Sequence, residues 1–229
     1  QFLHHHELSS EGCDFAGFFT SRNGRSGGGE IEGETSDDML EAGWLPWQEQ
    51  WFPARSVRVD LAQAEFSRTI KKCARKVEVM ERRPTAEEME SISHFYMQKK
   101  GFRSTHVFEE IYRNQNYKYL IYSHGGEVVG FVAYLLFSRS LVGVQFAWDY
   151  MTPQLSLGSV STYQEILIGR REGCRHYYMM GGYEVVSAYK ADVAGFEWWT
   201  GKCWSQDRAM YLDLCARDSH ILLENHDYL

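Results

Sequence analysis

The chain has 229 residues, of which 44% are hydrophobic and 15% aromatic, and it carries a formal net charge of −7. That is enough apolar material for one domain or two small lobes around a shared core. No apolar run approaches the roughly 20 residues of a membrane span, and the acidic balance argues against a protein that coats nucleic acid indiscriminately, leaving a local basic face as the only route to such a partner.

The N-terminus shows no ordered sequence of charged, apolar and small residues, so a soluble, cytoplasmic protein is expected. His4-His5-His6 form a short histidine tract, read as incidental to function. Residues 21 to 38 are rich in Gly, Ser and acid and are expected to form a mobile loop, whose last two residues, Asp37 and Asp38, cap a short helix ending at Gly43. Trp44, Trp47, Trp51 and Phe52 follow in an extended stretch; they either pack between two lobes or line an aromatic pocket. Residues 1–65 are assigned to an N-terminal lobe and 66–229 to a second domain.

The second domain opens on the densest positive segment of the chain. Arg68, Lys71, Lys72, Arg75, Lys76, Arg82 and Arg83 are interrupted only by Glu78 and Glu81. Read alone, the segment is either a solvated helix-to-strand connection or a surface for nucleic-acid phosphates. Pro84-Thr85 with Glu87-Glu88 has the spacing of a capping box and predicts a helix to Lys100. A second helix is predicted over 105–114. Strands are predicted over 117–123, 127–137 and 141–151, the first two joined by a His124-Gly125-Gly126 turn. A helix over 157–171, a strand over 176–180, a short helix over 185–193 and a strand over 196–204 complete the order.

Two helices, a three-strand meander, then helix, strand, helix and strand resembles the layout of the GNAT acyltransferase fold, which implies an α+β architecture with a mainly antiparallel sheet flanked by helices. In that layout the helix after the meander presents its N-terminus to the donor's phosphates; here this is the stretch from Pro153 to Ser159. Acyl-CoA-using members wrap the pyrophosphate with several glycine N–H groups. Gln154-Leu155-Ser156-Leu157-Gly158-Ser159 offers one glycine at the wrong spacing. Ser156 reads as a helix N-cap, a ligand contact or both. The five cysteines, Cys13, Cys73, Cys174, Cys203 and Cys215, are scattered, with no C-x-x-C pair; reduced, mostly buried thiols are expected, with no metal site.

Ser156-Leu157-Gly158, Gly173, Tyr177-Tyr178, Gly181-Gly182-Tyr183 and Ala188-Tyr189-Lys190 occur in order over about fifty residues. In this set the chain resembles the second half of the arginyl-tRNA:protein transferases and their bacterial leucyl-transferring relatives. Upstream, Glu11-Gly12-Cys13-Asp14-Phe15, Ala42-Gly43-Trp44, Val57-Arg58-Val59-Asp60-Leu61 and Phe66-Ser67-Arg68 leading into Lys71-Lys72 continue the likeness with less fidelity. Two departures stand out. The positions of the family's "RRSG" element read Leu45-Pro46-Trp47-Gln48, and the family's cysteine cluster is missing.

The resemblance implies an aminoacyl-tRNA co-substrate, no bound cofactor, and transfer of an Arg- or Leu-like aminoacyl group to an amine, most simply the N-terminus of a protein or peptide beginning with an acidic residue. It implies donor binding by Ser156, Leu157, Gly158 and Ser159, and tRNA binding by Arg68, Lys71, Lys72, Arg75 and Lys76. Acceptor binding falls to Gly181, Gly182 and Tyr183, where glycines permit close approach of the substrate. Tyr189 and Lys190 are the implied catalytic pair, contacting donor or acceptor. Trp198, Trp199 and Trp204 read as core packing or as a stacking surface for the terminal adenine. A GNAT acyltransferase using acyl-CoA and a non-catalytic homologue that binds tRNA or protein are the alternatives.

Overall fold

A computed structural model describes residues 22–23, 35–47, 50–100, 106–182 and 185–224; the histidine tract, Cys13 and Tyr183 lie outside these. In chain order the elements are β1 (Arg22–Asn23), α1 (Ser36–Glu41), β2 (Trp44–Trp47), β3 (Gln50–Pro53), β4 (Ser56–Asp60), α2 (Arg68–Ala74), β5 (Glu78–Met80), α3 (Ala86–Lys100), α4 (His106–Arg113), β6 (Lys118–His124), β7 (Glu127–Leu136) and β8 (Ser140–Trp148). A 3-10 turn (Pro153–Leu155) leads into α5 (Leu157–Arg171), then β9 (His176–Gly181), a 3-10 segment (Val185–Asp192), β10 (Phe196–Trp199), β11 (Trp204–Ser205) and α6 (Arg208–Glu224). The result is a mixed α and β protein whose described strand pairs are antiparallel, with helices beside the strands. No helix among the described residues is long and apolar enough to cross a membrane.

The chain divides into two units: residues 65–177, and residues 1–64 together with 178–229. Residues 178–229 group with residues 1–64 rather than with 65–177. The cause is strand pairing. β10 runs antiparallel to β4, with Phe196 opposite Val59 and Trp198 opposite Val57, so the end of the chain shares the core of Val57, Val59, Leu40, Leu45, Trp198, Tyr211 and Leu214.

In the 65–177 unit the strands run β8-β7-β6-β5. The β6–β7 connection is a two-residue turn, one residue shorter than the His124-Gly125-Gly126 turn expected because His124 ends the strand: Gly125 and Gly126 have φ of 62° and 88°, the left-handed pair that matches strand twist. Thr85 and Glu88 exchange the two expected capping bonds at the start of α3, at 2.8 and 3.2 Å. Leu120, Ile121, Phe131, Val132, Leu141 and Val142 are all buried, as are Leu157, Val160 and Ile166 of α5; neighbours along a strand point to opposite faces, so both faces of this sheet are covered, each large apolar side chain contributing about 1.5–3 kcal/mol on burial.

Four expectations change. The loop of 21–38 is not uniformly irregular: Arg22 and Asn23 pair with Trp51 and Gln50, and Thr35 rather than Asp37 or Asp38 caps α1, through a capping box with Asp38. The aromatic stretch is a β2–β3 hairpin, with Leu45 opposite Phe52 and Trp47 opposite Gln50. The strand expected over 196–204 breaks into β10 and β11 around a turn, and α6 has no counterpart among the predicted elements.

Candidate functional site

The basic segment resolves into two parts with different roles. Ser67 caps α2, its hydroxyl accepting from the Ile70 N–H at 3.3 Å. Arg68, Lys71, Lys72 and Arg75 then recur at the i, i+3, i+4, i+7 spacing that places them on one face. All four are exposed, as is Lys76 just beyond the helix, and among the described residues none of the five is held in an ion pair. The other face buries Cys73 and Ala74. It packs on α5 and on the turn that leads into it, where the Cys73 thiol meets the Gln154 carbonyl at 3.7 Å and Phe66 stands edge-on to Tyr163 at 5.1 Å.

Arg82 and Arg83 serve the fold instead. Arg82 grips the Glu88 carboxylate with two bonds of 2.7 Å, and Arg83 donates to the Tyr112 and Asn114 carbonyls while lying over the Tyr119 ring. Glu81 is held by Arg171, whose hydrogen bond keeps the Glu81 carboxyl below the ordinary carboxylate range. Arg82 and Arg83 are thus engaged within the fold, whereas the five cations of residues 68–76 stay exposed.

These cations belong to the helix packed beside the start of α5. Ser156 has φ 50° and ψ 46°, and its side chain makes no capping bond. The N-cap reading is thereby corrected: capping requires an extended backbone that aims the hydroxyl back at the first turn, and a left-handed residue does not provide it. Leu157 is fully buried and anchors the helix, so its side chain is closed to a ligand. Gly158 has room for a Cβ, which would make only an ordinary contact with Phe146 at 3.9 Å. The first intrahelical bond runs from the Val160 N–H to the Ser156 carbonyl. The N–H groups of Leu157, Gly158 and Ser159 therefore precede the helical ladder, the arrangement that receives anions.

One turn further, a buried network fixes α5. Tyr122 donates to Ser161 at 2.9 Å, and Ser161 to Glu165 at 2.8 Å. Burial, reinforced by the Glu165 charge, holds the Tyr122 phenol well above its ordinary range, so it stays a donor. Gly143 gives the carboxylate its room, because a Cβ there would overlap Glu165 and lie 2.8 Å from the Tyr177 hydroxyl. Because Ser156 caps nothing, Ser156→Ala should leave thermal stability almost unchanged. Ser156→Gly should raise it by about 1 kcal/mol by relieving the left-handed strain; a drop of that size with Ala, read by thermal melting, would contradict this geometry.

The second predicted group gathers at the end of β9. Met180 has φ 60°, and the carbonyls on either side of it, of Met179 and Gly181, accept from the Lys190 ammonium at 2.6 and 3.0 Å. Gly182 donates to the Arg55 carbonyl at 3.0 Å, and its own carbonyl accepts from Arg55 at 3.5 Å and from the Cys215 thiol at 3.6 Å. The close approach that Gly182 permits is made by Tyr211, whose hydroxyl a Cβ would overlap. Arg55 also pairs with Asp218, both side chains being at most 1% exposed. Tyr189 is 47% exposed. Lys190 thus ties down a strained strand end, and Lys190→Ala should lower stability by about 2 kcal/mol, the scale of hydrogen bonds from a charged donor; chemical denaturation of the variant reads it.

The three tryptophans near the C-terminus are packed. Trp198 is fully buried, with its indole N–H on the Asp207 carbonyl at 2.9 Å. Trp204 lies beneath the Arg58 guanidinium at 3.9 Å and bonds the Glu41 carbonyl at 2.9 Å. Trp199 closes over Gly43. Sequence reasoning passes over Arg55, Asp218 and the Tyr122–Ser161–Glu165 network. The signal for the first pair is a charged residue inside an otherwise apolar helical stripe, Tyr211, Leu214, Cys215 and Asp218.

No known family model matches the chain, and no curated protein matches its sequence. Among solved structures, the C-terminal domain of a candidate lysylphosphatidylglycerol synthetase from Agrobacterium fabrum is similar with a TM-score of 0.46 and 12% identity, over 64% of this chain and 50% of that one. L-PGS from Bacillus licheniformis gives 0.45 and 11%, over 70% and 64%, and FemX gives 0.43 and 10%, over 55% and 52%. The alignments thus span between half and two thirds of those chains.

Proposed function

We infer that the protein is an aminoacyl-tRNA-dependent aminoacyltransferase, moving an Arg- or Leu-like aminoacyl group to an amine, most simply the N-terminus of a protein or peptide. The observation that carries this reading is the face of α2: four exposed cations in register, with Lys76 beside them, on a helix packed against the turn that delivers the start of α5. A phosphate chain laid on that face would end near the N–H groups of Leu157, Gly158 and Ser159, where the donor's last phosphate or ribose oxygen would be received. A CoA pyrophosphate needs several glycine N–H groups at this loop; here Ser156 holds the left-handed position and Leu157 is buried.

The chemistry asks for positioning more than for strong acid or base. The donor ester is already activated, so the acceptor's neutral amine attacks the ester carbonyl carbon and the ribose oxygen leaves with a proton. On this reading Tyr189, half-exposed, contacts donor or acceptor, while Lys190 acts by holding the backbone of Met179 and Gly181 on the acceptor side. Acidic acceptors and a cytoplasmic setting complete the proposal. The test is consumption of donor: purified protein is incubated with a mixture of charged tRNAs, and separately with acyl-CoAs, each with a set of peptides. Peptide-dependent loss of one or more aminoacyl-tRNAs supports the assignment; peptide-dependent loss of an acyl-CoA alone transfers it to the acyl-CoA enzymes.

A further inference from the structure

Three segments of the 65–177 unit meet at one end of its sheet, on one face. α2 runs back along α5: Phe66, just before its first turn, stands against Tyr163 at 5.1 Å, while Cys73, in its last, meets the Gln154 carbonyl at 3.7 Å. The cations from Arg68 to Lys76 therefore lead from the middle of α5 toward its start. β6 ends there as well. Tyr122 bonds Ser161 of α5, and His124, two residues further along the strand, shares the face of Tyr122. The His124 Nδ1 lies 2.9 Å from the Lys76 carbonyl. Gly125 and Gly126 close the turn beside it, and a Cβ on either would meet nothing within 4 Å.

We propose that His124 accepts a hydrogen bond from a ribose 2′-hydroxyl of the strand whose phosphates lie on α2, so that the basic track selects RNA over DNA. The inference rests on the tRNA reading above. A carbonyl oxygen only accepts, so Nδ1 carries the proton and, in the neutral ring, Nε2 is left as an acceptor. Among the described residues the ring makes no other hydrogen bond. Two exposed carboxylates decide which part of a nucleotide suits this place: Glu127 is paired with His124 across the turn, and Glu78 with its neighbour Ser123. They repel a further phosphate, whereas a hydroxyl is neutral and needs only an acceptor. The 2′-hydroxyl is also the group by which a protein tells RNA from DNA, a distinction that phosphate contacts alone do not make.

The experiment measures the affinity of the full chain for an RNA hairpin with a single-stranded 3′ tail, carrying one 2′-deoxy nucleotide at a time along its 3′ strand. In wild type at least one substitution should weaken binding roughly 3- to 10-fold. His124→Ala should weaken binding of the all-ribose RNA by the same factor, abolish the effect of that substitution, and leave the slope of log affinity against log salt unchanged. Since loss of the Lys76 bond can loosen the turn, 4-thiouridine at the sensitive position is also cross-linked to the wild-type protein, and the cross-link should map to residues 124–127. Deoxy effects that persist in folded His124→Ala, a cross-link confined to other residues, or the absence of any deoxy effect overturns the hydroxyl contact and leaves the tRNA reading standing. A salt slope lowered by about 0.9 in the variant overturns it too, because His124 would then hold a phosphate. Failure of wild type to bind the RNA overturns both.

Discussion

Reversing Lys71, Lys72 and Arg75 to Glu should abolish most tRNA affinity without unfolding the protein. The three side chains are exposed, outside any ion pair among the described residues, and on the face of α2 opposite the buried Cys73 and Ala74. Each phosphate that the protein no longer neutralises takes about 0.9 from the slope of log affinity against log salt. Three such phosphates lower that slope by about 2.7, so across a fourfold rise in salt the wild type should shed about 40-fold more affinity than the variant. Binding isotherms at two ionic strengths read this directly. The same reversal at Arg82 and Arg83 should instead damage the fold, because Arg82 holds Glu88 and Arg83 the carbonyls at the end of α4.

Asp218→Ala should be the most destabilising single change around β9. The carboxylate and its partner Arg55 are both buried, and removing one member of a buried pair leaves a charge out of water at a cost of about 3–5 kcal/mol. Arg55 also bonds Gly182 through its carbonyl and its guanidinium, so loss of order at the strand end should accompany the loss of stability. Urea denaturation gives the magnitude, and hydrogen exchange at Gly182 gives the location. A loss below about 1 kcal/mol would mean that solvent reaches the guanidinium when its partner is gone.

The parts of the fold legible in the sequence are those where local chemistry and tertiary demand agree. The predicted helix 157–171 matches α5 residue for residue, because its apolar positions face the sheet and Gly173 ends it. The Gly125-Gly126 turn and the Thr85–Glu88 box are likewise local devices. The failures share one cause, long-range partners. β4 joins β10 across more than a hundred residues, which no local pattern announces. α6 buries Asp218 in the middle of its apolar face, and that residue hides the stripe, although Asp207, which accepts from the Met210 N–H at 3.0 Å, marks its start.

The site is legible in residue type more than in role. Charge density marks the whole basic segment and the resemblance singles out the five cations of residues 68–76; the structure adds that those five are exposed while Arg82 and Arg83 are engaged within the fold. Ser before an apolar helix is usually a cap; the left-handed backbone of Ser156 removes that role. Lys190 stands out by motif, and its bonds to two carbonyls around Met180 emerge only when the end of β9 is seen folded. His124 reads as one residue of a turn, since nothing in the sequence marks its bond to the Lys76 carbonyl, 48 positions earlier.

The identity of the donor is the central claim, and mass spectrometry of the acceptor tests it most directly. A peptide with an acidic N-terminus is incubated with the protein and with charged tRNA and acyl-CoA present together. The account predicts a gain equal to one aminoacyl residue on the peptide's α-amine, abolished in the Lys71, Lys72 and Arg75 reversal variant. A gain equal to an acyl group from CoA, unaffected by that reversal, would contradict it.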